Sequence, residues 1–261
     1  MKRTPDDICL LCQSRKSVKT KSHIIPKFFA KSFLQDNGKN LGHRFTAAKT
    51  YYNVYQDSPK EDYLFCNECE KYISFIEHPA SHFLENFHAD NISLSEQKIV
   101  ESSGVFVKSD FPFNPIIFHL FFYSLIFRSS ISNHEAFVFY SLDKKDEEHL
   151  RVQLMKYFAL DNPSFVLKLN QNRIEMLDYA LVTCANYPTD TFGGIAARNL
   201  KKSPSFICAN KFLIYTGNMV KHEMEKFYWN QDREAIKIIY WSFDTYKKSF
   251  LIPLFKNMKA S

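Results

Sequence analysis

The chain has 261 residues and a mass of 30.7 kDa, enough for one large domain or two small ones. Hydrophobic residues at 45% and charged residues at 24% exclude wholesale disorder, and six Gly against 26 Phe and 14 Tyr exclude collagen-like and low-complexity classes. The net charge of +6 is uneven, because residues 1–60 hold 12 Lys and Arg against 4 Asp and Glu, leaving the other 201 residues at −2. A phosphate-bearing partner would therefore meet the amino-terminal segment, and a solvated basic surface is the plain alternative.

The first element is a knuckle, CLLC at 9–12, matched by CNEC at 66–69. Two C-x2-C pairs in a reducing compartment point to metal rather than disulfides. Two thiolates from each pair complete a tetrahedral structural zinc site of Cys9, Cys12, Cys66 and Cys69. The 53 residues between the knuckles are too many for a simple zinc ribbon, so a folded element is expected inside the loop. There, residues 18–25 suit a short strand ending near His23, Pro26 breaks the pairing, and KFFAKSFL has an apolar face suited to a short helix. DNGKNLGH at 36–43 reads as a loop or hairpin turn, with Asn37 and Asn40 as weak metal-ligand candidates.

A helix is predicted from about Cys69 to Phe87, with Pro79 as a place for a kink. On it Glu70, Ser74 and Glu77 share one face, while Tyr72, Ile73 and Ile76 turn to the core. His78, His82 and His88 read as surface or packing histidines. From about residue 92 the composition changes. GVFVK (104–108) predicts a strand, and Pro115 opens an almost wholly apolar, hence buried, helix to Arg128. That helix includes the longest apolar run, PIIFHLFFYSLIF, which falls short of the ~18 residues of a membrane span and carries His119.

Residues 144–160 have helical periodicity. The segments around FVLKL, RIEMLDYALVTCA, SFICANKFLIYTG and AIKIIYWSF predict strands of a small sheet, with Cys184 and Cys208 in the core. GGIAARN (193–199) lacks the Gly-Lys-Ser/Thr ending of a phosphate loop, and Tyr228, Trp229, Tyr240 and Trp241 read as core before base-stacking residues. The fold class expected is α+β, in two parts: a zinc-stapled module over 1–91 and an α+β accessory domain over 92–261. The start MKRTPDDICL turns acidic where a secretory signal would become apolar, so a cytoplasmic protein without a membrane partner is expected.

CLLC, SHIIPKFF and YLFCNECEKYISFIE together resemble the HNH (His-Me finger, ββα-metal) endonucleases, and within them a four-cysteine branch with members among bacterial anti-phage defence genes. The likeness covers residues 9 to about 77, and FYSLIFRSS resembles a following helix of that branch, drawing Arg128 in. It implies a hairpin and helix gripping one catalytic divalent ion, Mg or Mn, beside structural Zn. His23 would then be the general base toward water, Glu70 the helix ligand, and Asp62 or Glu61 a further ligand, with Glu77 behind them. DNA is the implied substrate before RNA, and a sensor or ATPase protein is an implied partner.

Phosphodiester hydrolysis calls for these groups: a near-neutral imidazole to take a proton, an ion to stabilise phosphoryl charge, and cations to position the backbone. Arg15, Lys16, Lys19, Lys21 and Lys27 are the nucleic-acid-binding candidates. Three departures from the family pattern stand beside the likeness. Ser22 occupies a position often filled by Asp or His, no Asn lies near Glu61 and Asp62, and Glu70 replaces the usual His or Asn. Carboxylates are sound hard-oxygen ligands. The alternative is a catalytically degenerate zinc module that binds nucleic acid or a protein.

Overall fold

The structure, a computed structural model, describes residues 2–29, 42–46, 49–55, 58–85, 97–100, 103–108, 113–184, 194–199, 205–209, 212–216 and 229–252. Asn37, Asn40, His88 and Tyr228 lie outside them. Mixed α+β architecture is present: the described strands form one two-stranded and one nine-stranded sheet, with helices packed on the larger.

The small sheet pairs β1 (Ser22–His23) with β4 (Lys60–Glu61), antiparallel, Ser22 opposite Glu61 and His23 opposite Lys60. Helix α1 (Asn67–Glu85) follows at once. The expected helix core residues Tyr72, Ile73 and Ile76 are buried along it. Helix α2 (Ile116–Ile131) is buried from Ile117 through Ser129, and both α1 and α3 (Lys144–Lys156) pack on it. Its two polar exceptions, Ser124 and Arg128, are buried with the rest.

The large sheet runs β3-β2-β8-β9-β10-β7-β11-β6-β5. It contains the hairpin β2 (Gly42–Thr46) and β3 (Lys49–Tyr55), then β5 (Gln97–Val100), β6 (Ser103–Lys108) and β7 (Tyr179–Cys184). The series closes with β8 (Gly194–Arg198), β9 (Ser205–Ala209), β10 (Phe212–Thr216) and β11 (Ile236–Trp241). Most pairs are antiparallel, but β2 meets β8 and β7 meets β11 in parallel. Every residue of β7 is buried, because alternate side chains face two apolar layers. Tyr179 and Leu181 join the core with α1 and α2, whereas Ala180, Val182 and Cys184 pack with Trp229, Tyr246 and Phe250 on the other face. The second layer comes from a short helix, α5 (Phe243–Tyr246), and the π-helical turn Lys247–Leu251. Cys184 and Cys208 are buried there, and burial pushes their thiols up to about 12 and about 11.

Two expectations are corrected. The sheet is not small, because strands from 42–55 join those of the later segment. FVLKL is not a strand either. It lies in helix α4 (Asn162–Gln171), where the Asp161 side chain accepts from the Ser164 N–H and Pro163 sits in the first turn. A side-chain cap and an N-terminal Pro outweigh the β preference of Phe165 and Val166. One hydrophobic cluster runs from Cys9 and Leu11 through Tyr72 and Phe121 to Ile238, so zinc knuckles, helices and one sheet face share a core.

Candidate functional site

The first knuckle is a tight reversal. The Cys9 N–H donates to Arg15 O (2.7 Å), Gln13 N–H to Cys9 O (2.9 Å), and Gln13 takes a left-handed φ of 54°. The second knuckle starts α1, with Cys66 just before the helix and Cys69 in its first turn. A hydrogen bond from Leu10 N–H to Leu64 O (3.0 Å) stitches the two together. All four sulfur atoms lie within 4.8 Å of one another.

This cluster favours anions. A hydrogen bond from Cys69 holds the Cys9 thiol well below its usual range and pushes Cys69 up in return, while burial raises Cys66 to about 11. A helix amino terminus beside thiols adds to the same preference. Four converging soft ligands could hold a metal ion such as zinc. Among the described residues, no other group of three or more His, Cys, Asp or Glu converges at ligand spacing.

The second part of the site is a ribbon in which residues 19–24 run against 59–65. Ile24 N–H donates to Pro59 O (3.0 Å), Tyr63 N–H to Lys19 O (2.8 Å), and Lys19 N–H to Phe65 O (3.3 Å). Lys21 and Tyr63 both adopt positive φ, 56° and 62°. The Asp62 carboxylate secures the first of these by accepting the Lys21 N–H at 2.8 Å. Adjacent strand residues alternate sides. Ser22 donates its hydroxyl hydrogen to Glu70 on α1, and the His23 Nδ1 meets the hydroxyl of buried Ser58.

Glu70 is mostly buried, and that burial raises its carboxyl above the ordinary range, opposed by the Ser22 hydrogen bond and by the charge of Arg128. Arg128 ties three elements together. Its Nη1 donates to His23 O (2.8 Å), its Nε donates to Ser124 O (3.2 Å), and its Nη2 lies 2.7 Å from Glu77 Oε1. The last is a charge contact without hydrogen-bond alignment, since neither of those two atoms has a well-oriented partner.

The other sequence candidates are placed as follows. Glu61 accepts from Ser132 Oγ (2.6 Å) and the Asn133 N–H (2.9 Å), so it braces the segment after α2. Lys16 pairs with Asp6 at 2.7 Å, and the Arg15 guanidinium lies 5.7 Å from the centre of the Phe158 ring. Lys19, Lys21 and Lys27 are exposed, as are His78 and His82. Ser58, Ser132 and Asn133 are partners that no local pattern announced. No family model, no curated protein and no solved structure matches the chain.

Proposed function

We propose that the chain is a metal-dependent endonuclease of HNH type that hydrolyses phosphodiester bonds in DNA. The observation that supports it is the Ser22–Glu70 contact, which joins the residue before His23 to the first turn of the helix. Strand, antiparallel strand and helix thus meet at the two positions where the resemblance locates metal ligands, beside the cysteine cluster. The donor atoms there are oxygens, which suit Mg or Mn better than zinc. Glu70 would hold the ion, and its positive charge would stabilise the phosphoryl oxygens as their charge grows.

His23 supplies proton transfer. With the hydrogen on Nδ1 donated to Ser58, Nε2 is the basic nitrogen that takes a proton from water. Arg128 fixes the backbone of that residue from below through His23 O. A second reading, a zinc module that binds without cleaving, draws on the engagement of Glu61, Asp62 and Glu77 by protein donors or charges.

Supercoiled plasmid incubated with Mg or Mn separates the two. Wild type is expected to nick it, and His23→Ala with unchanged zinc content is expected to lose about 10²–10⁴-fold in rate. Equal nicking by the variant, or none by wild type with either ion, favours the binding module.

A further inference from the structure

Next to the ribbon lies a cleft of about 470 Å³ that none of the expected nucleic-acid-binding residues except the candidate ligands Glu61 and Asp62 helps to line. Its walls come from three places: Lys2 and Arg3 near the amino terminus, Lys60 on β4, and Asn133 with His134 after α2. The volume falls in the range of small-molecule sites, roughly 300–1,000 Å³. We propose that this cleft is a nucleotide subsite, taking one phosphate-bearing nucleotide beside the reacting centre. It rests on the endonuclease reading and deepens it by naming where the strand next to the reacting phosphate is held.

Four observations support the assignment. Lys60 is the cross-strand partner of His23, so a ligand in the cleft lies one residue pair from the candidate base. The cations Lys2, Arg3 and Lys60 outnumber the carboxylates Glu61 and Asp62, and both carboxylates are occupied in shaping the walls. Glu61 fixes the Ser132–Asn133 wall, and Asp62 fixes the Lys21 turn. Arg3 is likewise anchored, with Nε donating to Tyr63 O at 2.6 Å, so its charge is delivered at a set position. His134 Nδ1 accepts the Ala136 N–H at 3.2 Å, which places the ring hydrogen of the neutral form on Nε2 and makes that atom a donor. Phosphate oxygens need fixed cations and N–H donors together, and an apolar or purely acidic ligand would meet neither. By contrast, Lys16 spends its charge on Asp6 at the surface.

The phosphate could belong to a polynucleotide strand or to a free nucleotide, and two probes tell these apart. Binding is measured without Mg or Mn, by anisotropy of a fluorescein-labelled single-stranded 12-mer and by calorimetry with thymidine monophosphate. Lys60→Glu and, because it lies on an exposed terminal segment, Lys2→Glu are compared with Lys16→Glu. Both cleft variants should bind about tenfold more weakly with a salt slope smaller by about one, while Lys16→Glu matches wild type. Loss for the oligonucleotide alone assigns a strand subsite, and loss for the monophosphate as well assigns a site for free nucleotides. Unchanged binding in both cleft variants, or no binding of either probe to wild type, overturns the subsite. The nicking assay is read separately, so the endonuclease reading stands or falls on its own result.

Discussion

Cys9→Ser is expected to release one zinc ion per chain and to unfold the region built on residues 2–29 and 58–85. Cys9 is fully buried, and its sulfur sits among three others within 4.8 Å. Replacing a soft thiolate by a hydroxyl removes a ligand and leaves a polar group in a dry site. Apparent binding energies for structural zinc are roughly 10–16 kcal/mol near neutral pH, larger than the stability of most domains. The effect should spread, because Leu11 O accepts from Arg151 on α3 (3.0 Å) and Tyr72 donates to Leu154 O (2.6 Å). Zinc content by mass spectrometry and thermal melting by circular dichroism make the check. A metal-free variant melting within a few degrees of wild type rules out a structural metal site.

What could be read beforehand follows the range of each interaction along the chain. The C-x2-C pairs are local, and their chemistry announces a partner, so the cluster was legible over 53 intervening residues. Helix α2 was legible because its apolar residues cover every side, and β9 with β10 because β-branched and aromatic runs flank a short turn. The His23–Ser58 and Glu61–Ser132 contacts join residues 35 and 71 positions apart through groups with no distinctive spacing. The parallel pairings of β2 with β8 and β7 with β11 leave no trace in periodicity, since period two reports a face and never a neighbour. Helix α4 was legible in principle: Asp161, Pro163 and Ser164 form a start signal that outranks the β-prone residues after it.

Arg128→Ala is expected to lower stability by about 3–5 kcal/mol, the range for breaking a buried ion pair from one side. The guanidinium is only 3% exposed and its partner Glu77 26%, so solvent cannot replace the lost contacts cheaply. The variant strands Glu77, leaves His23 O without its donor and takes a stabilising charge from Glu70. The last loss has a definite sign with pH. Burial raises the Glu70 carboxyl, so the folded chain holds that proton more tightly than the unfolded one. Its contribution to stability therefore falls as pH rises from the unfolded carboxyl value through the higher folded one. Arg128 limits that fall, so the gap between wild type and Arg128→Ala should widen from pH 5 to pH 7.5 in urea titrations with zinc retained. Pairing the change with Glu77→Leu tests the ion pair itself, because replacing both charges by apolar groups relieves the stranded carboxylate. The Arg128→Met, Glu77→Leu protein should recover most of the lost stability. It should still nick plasmid more slowly than wild type, because His23 lacks its backbone anchor. A double variant no more stable than Arg128→Ala alone assigns the cost to the His23 and Ser124 carbonyls instead of the charge pair.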